Sequence, residues 1–182
     1  MDRYVLQTHH SLLLCPERLI LLGHSAGGCL ALWAAQRWSG TAGAVAPLVL
    51  AAAPVADLEM KVSDEGDAVE LYMKQPPTSE SALEAYRLAS PAANLPVSFP
   101  LLIVYGDADA DVPPELVKAY AHAARAGAPA LVSVLEISQA DHFQVVDATS
   151  DAWRQARRTG GQMRLGRREV RLDGGCFGGE RK

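Results

Sequence analysis

The 182-residue chain is 49% hydrophobic and 21% charged with a mean hydropathy of +0.03, values of one ordinary globular domain that exclude disordered, fibrous and multi-span membrane classes. Its three cysteines, Cys15, Cys29 and Cys176, make no spaced pair and no cluster with histidine, which excludes zinc and disulfide scaffolds. The net charge of −4 averages two stretches: residues 1–153 hold 8 Lys and Arg against 18 Asp and Glu, which excludes a nucleic-acid surface there, and residues 154–182 hold 9 against 3.

At the start of the chain Asp2, His9 and His10 interrupt any apolar run, so no targeting segment is read and a cytoplasmic location is expected. Leu19 to Gln36 is uncharged for 18 positions, which on length grazes a membrane span. Gly23, His24, Ser25, Gly27 and Gly28 stand in its middle, however, and fit a strand, turn and helix instead. The first strand is Leu19 to Leu22 and its helix Ala26 to Trp38. A second strand follows at Ala46 to Ala52. The long insertion from Asp57 to Pro100 has the place of a small cap, with helix over Glu65 to Leu88 broken at Pro76-Pro77. Strand Leu101 to Tyr105, helix Pro114 to Arg125, strand Leu131 to Ile137 and helix Val145 to Arg158 complete the body. The first and third of these strands are apolar on both faces, as parallel strands under helices must be. Strand alternating with helix predicts an α/β fold with a mostly parallel sheet of about four strands. Residues 154–182 hold seven of the 15 glycines and little apolar periodicity, and read as a flexible basic tail beyond a domain of residues 1–153.

The chemistry gathers after three of these strands. Gly23-His24-Ser25-Ala26-Gly27, followed by Gly28, is a G-x-S-x-G pattern between an apolar strand and a helix. There it acts as a nucleophile elbow: Gly23 and Gly27 let strand and helix approach while Ser25 sits in a strained turn with its hydroxyl projecting. The start of the helix offers the Ala26 N–H to an oxyanion. A glycine-rich packing turn is the plain alternative. After the third strand the loop carries Asp107, Asp109 and Asp111, one of which suits the acid of a triad, while Asp111 also suits a helix cap. After the last strand comes His142. His9 and His10 precede the fold, His24 lies inside the elbow and His122 lies mid-helix, which leaves His142 as the base. Serine, acid, histidine is the chain order of an α/β-hydrolase triad.

From about Pro16 to Trp153 the chain resembles the C-terminal two-thirds of an α/β-hydrolase, most nearly the esterase and kynurenine formamidase-like group. The elbow GHSAGG, the acid loop of G-x-x-D-x-x-V form starting at Gly106, and the segment DHF-x-x-V-D at 141–147 carry the likeness. The resemblance implies Asp109 as the acid and, with Ser25 and His142, acyl transfer to water from a small carboxylic ester or amide, arylformamidase-like, with no metal and no cofactor. Asp141 and Asp147 read as loop-shaping or capping residues. Members of the group carry an HGG-type oxyanion loop and further strands before the elbow, which this chain does not, so an N-terminally truncated domain is expected. The first strand then becomes an apolar edge, open to pairing with a second copy of the chain. The expected partner is a small-molecule substrate, with no nucleic acid and no membrane. The alternative is a hydrolase-derived binding or partner-dependent subunit without a complete oxyanion hole.

Overall fold

The computed structural model describes residues 19–39, 45–60, 68–165 and 168–169. Among them β1 (Ile20–His24), β2 (Leu48–Ala52), β3 (Leu101–Gly106) and β4 (Val132–Ile137) form one parallel sheet in the order β1-β2-β3-β4. Register runs Leu21 to Val49, Ala51 to Ile103 and Ile103 to Val134. The helices are α1 (Ala26–Ser39), α2 (Ala68–Met73), α3 (Glu80–Ala89), α4 (Pro114–Gly127) and α5 (Asp151–Gly161). No described helix is long and apolar enough to cross a membrane.

Side chains alternate across a strand, so each strand feeds two cores. Val49, Ala51, Leu101 and Ile103 meet Ala31, Leu32 and Ala35 of α1 and Val117, Tyr120 and Ala124 of α4 on one face. Leu50, Ala52, Leu102, Val104 and Ile137 meet Ala152 and Ala156 of α5 on the other. Every residue of β2 and β3 is buried, whereas β1 is only partly covered and Leu22 is 51% exposed. The two-faced apolar pattern therefore marks full burial at β3 but not at β1, which is the edge of the described sheet.

The insertion is clamped to α1. Trp33 Nε1 donates to Leu88 O, Gln36 Nε2 donates to Pro91 O and Asn94 O, and Cys29 packs with Leu58, Val69 and Tyr86. Its helix is broken where Pro76-Pro77 stands, and Ser79 opens α3 by accepting from Ala82 N. Residues 61–67, where the sequence starts this helix, lie outside the described residues.

Two helical boundaries differ from the sequence reading. The last helix begins at Asp151, not Val145, because Asp147 and Ser150 hydrogen-bond the local backbone: Asp147 Oδ1 accepts from Thr149 N, and Ser150 Oγ accepts from Trp153 N as the N-cap. That helix then runs to Gly161 with Ala156 and Gly160 buried, so the boundary read after Trp153 falls inside a packed element. A two-strand antiparallel pair, β5 (Arg164–Leu165) with β6 (Arg168–Glu169), follows it, and residues 170–182 of the basic tail lie outside the described residues.

Candidate active site

Ser25 follows β1 directly and has φ 56°, a left-handed conformation that costs a non-glycine residue about 1–2 kcal/mol. Its neighbours hold it there. Ser25 N donates to Ala52 O at 2.9 Å, and Ser25 O accepts from Gly28 N, Cys29 N and Val55 N. A Cβ on Gly23 would stand 2.0 Å from Gly27 O, and one on Gly28 would stand 2.9 Å from Pro54 Cβ. The close approach thus belongs to Gly23 and Gly28. Gly27, read from sequence as the second spacer, has open space where its Cβ would be, and contributes its carbonyl instead. Ala26 opens α1, where the first N–H groups have no partner within the helix.

The loop after β3 separates its three carboxylates by task. Asp107 Oδ1 accepts from Gln139 N and its Oδ2 from Ser138 Oγ, tying this loop to the one after β4. Asp109 turns inward, fully enclosed at its side chain, with Oδ1 accepting from Asp111 N at 2.9 Å and Val112 N at 2.8 Å. Its Oδ2 accepts from His142 Nδ1 at 2.7 Å. Asp111 is exposed and does not cap α4, which Pro113 and Pro114 open without a side-chain cap.

His142 is buried at 4% exposure in the loop after β4, which Asp141 shapes by accepting from Phe143 N and Gln144 N. A carboxylate oxygen only accepts, so the pair with Asp109 puts the ring proton of neutral His142 on Nδ1 and leaves Nε2 a lone pair. His24, beside Ser25, donates from Nε2 to the His142 carbonyl at 2.8 Å, and the two ring centroids are 4.3 Å apart. Phe143 meets the His142 ring edge-on at 5.3 Å and is itself 64% exposed. Burial is the main cause that holds the His24 pKa below 6.5, so its ring is neutral at pH 7. The structure therefore brings His24, Asp109 and His142 together, with Ser25 next to His24 in the chain. His24 is the residue the sequence undervalued, since a histidine inside G-x-S-x-G gives no sign of a contact 118 residues away.

Ligand atoms of Asp109, Asp111 and His142 lie within 4.8 Å of one another, a spacing open to a metal ion. Both Asp109 oxygens and His142 Nδ1 are already engaged in hydrogen bonds to each other or to backbone N–H groups, so the donor set fits an oriented carboxylate–imidazole pair better than a coordination shell. Cys29, four residues past Ser25, is no rival nucleophile: burial pushes its thiol up to about 11. Cys15, Cys176, His9 and His10 lie outside the described residues.

A model of the prolyl oligopeptidase family matches residues 4–159. No curated protein matches the chain significantly. Among solved structures the chain is similar to an acylaminoacyl peptidase in complex with Z-Gly-Gly-Phe-chloromethyl ketone, at 17% identity and a TM-score of 0.65 over 94% of this chain and 27% of that one. It is also similar to Thermogutta terrifontis esterase 2 phosphonylated by sarin, at 20% identity and 0.61 over 85% and 58%. The Pyrococcus horikoshii acylaminoacyl peptidase gives 16% identity and 0.61 over 85% and 25%. The chain thus spans less than two thirds of the length of these solved proteins, and the likeness is one of fold.

Proposed function

The chain belongs to the prolyl oligopeptidase family of the α/β-hydrolase superfamily, and from that premise we propose that it is a serine hydrolase of small carboxylic esters or amides. The observation that carries this is the enclosed Asp109–His142 pair, 2.7 Å apart, joined by a hydrogen bond from His24 to the strand end where the next residue, Ser25, is held left-handed. In the proposed reaction His142 Nε2 takes the Ser25 hydroxyl proton as Oγ attacks the carbonyl carbon. Asp109 keeps the imidazole oriented and stabilises its positive charge. Ala26 N–H donates to the developing oxyanion at the head of α1. The proton then passes to the leaving alcohol or amine, and water, deprotonated by the same nitrogen, releases the acid from Ser25. These residues need no metal or organic cofactor, because the base activates the nucleophile.

The substrate within that class is a finer proposal. The named relatives support two arms, one an ester and the other a blocked peptide: solved structures include an esterase with butyrate bound and a peptidase carrying Z-Gly-Gly-Phe-chloromethyl ketone. The resemblance of the elbow and of the loop segments to the formamidase-like group adds an N-formyl anilide as a third.

Intact-mass analysis after a fluorophosphonate probe tests the reaction without choosing among them. One adduct on the parent and none on Ser25→Ala is expected, and unlabelled parent is expected to release nitrophenol from p-nitrophenyl butyrate. A folded parent that takes no adduct sinks the proposal. It would favour the second reading, a binding or partner-dependent subunit.

A further inference from the structure

We propose that His24 is a positioning residue for His142: by donating to the His142 carbonyl it fixes where the His142 ring stands, and its own ring, 4.3 Å away, bears on whether that ring accepts a proton. The inference rests on the Ser25, His142 and Asp109 reading and adds a fourth group to it. Three observations carry it. The His24 Nε2–H to His142 O bond, 2.8 Å long, joins the strand that presents the nucleophile to the loop that presents the base. A carbonyl only accepts, so the proton on this His24 nitrogen is fixed. The rings then lie 4.3 Å apart at 46°, with Phe143 edge-on to His142 and 6.1 Å from His24, so the base is bounded by His24, Phe143 and the Asp109 carboxylate.

Ring separation sets the electrostatic part. A second positive charge at about 4 Å in a half-buried site opposes the imidazolium that His142 must become, by several times its effect in bulk water. The groups whose charge reaches His24 are His142, which disfavours its protonation, and Asp109 and Asp111, which favour it. Burial adds to the first and outweighs the rest. His24 therefore keeps its hydrogen bond at every pH but becomes a repulsive neighbour in acid.

The test measures the second-order rate of fluorophosphonate labelling at Ser25 against pH in the parent, His24→Gln and His24→Ala. Gln retains an amide N–H for the His142 carbonyl and has no proton to gain. At neutral pH His24→Ala is expected to label about 100-fold more slowly, the scale of a misplaced catalytic group, and His24→Gln to recover most of that loss. In acid the parent's rate is expected to fall more steeply than that of His24→Gln, which has no proton to gain at this position. A scaffold role for His24 would lower the melting temperature and leave the acid limb of the parent and His24→Gln identical, and that identity would overturn the proposal.

If neither the parent nor the variants label, the catalytic reading fails separately, and the His24 contact is read from the downfield Nδ1 proton of His142 by NMR. That signal is expected to persist in His24→Gln and to be lost to exchange in His24→Ala. An unchanged signal in His24→Ala overturns the positioning role.

Discussion

The serine turn and the Asp109–His142 pair are linked through His24 but are held by different physics. The turn is a local object: Gly23, Ser25 and Gly28 lie within six residues, and the left-handed serine persists because strand and helix touch where a side chain would have been. The acid–base pair is a non-local one. Asp109 and His142 come from two loops 33 residues apart, each shaped by its own carboxylate-to-backbone hydrogen bonds. The turn stores strain that the fold must oppose, while the pair stores oriented hydrogen bonds that the fold must enclose. Substitutions of the glycines of the first should register mainly as stability, and of the second mainly as rate.

Asp109→Asn is the sharpest way to break this contrast. Asn offers an N–H where His142 or the Val112 and Asp111 amides already donate, so the imidazole takes the wrong tautomer. Labelling of Ser25 should fall about 10⁴-fold with the fold retained, as read by circular dichroism and mass. A variant that unfolds without this selective loss would mean the pair is structural.

Gly23→Ala is next, with the opposite signature. Its methyl cannot share space with Gly27 O, so β1 and α1 must separate at a cost of about 3 kcal/mol in denaturant unfolding. Gly27→Ala meets nothing and should instead gain about 0.5 kcal/mol. Equal effects at the two positions would show that the motif's glycines are interchangeable, contrary to the geometry.

Ser25→Gly isolates the strain itself. Glycine adopts φ 56° freely, so this variant should be about 1 kcal/mol more stable than Ser25→Ala, both being unreactive.

The smallest expected effect is on stability against pH. The folded protein holds the His24 pKa below 6.5, so the unfolded chain binds that proton more readily. The contribution from His24 is therefore fully present above about pH 6.5 and is lost as the pH falls below it. Urea unfolding at pH 7.5 and pH 5 should show a smaller acid loss for His24→Gln than for the parent.

Much of the scaffold was legible because burial on both faces writes a plain apolar run. β2, β3 and β4 lie within two residues of the stretches read from hydrophobicity, and α1 and α4 begin where the helical pattern begins. Where polar side chains rewired the backbone, the pattern misled. Val145 to Thr149 look helical by composition, yet Asp147 and Ser150 spend their oxygens on turn and cap bonds, and the helix starts later. Leu22 looked like core because it is leucine in an apolar run. Its exposure depends on which strands flank β1, and that is a property of the sheet.

The site divides in the same way. Sequence singled out the elbow, because glycine spacing and the strand-to-helix change are short-range facts, and it singled out His142 by its place after the last strand. Three aspartates in one loop offered the same chemistry within five residues, and only the resemblance to a family preferred Asp109. The tertiary structure separated them by enclosure: Asp107 latches to the loop after β4, Asp111 faces water, and Asp109 turns in to His142. It also decided the part played by His24. A hydrogen bond across 118 residues exists only once the parallel sheet has set the C-terminal ends of β1 and β4 along the same side of the sheet, and no local spacing records that distance.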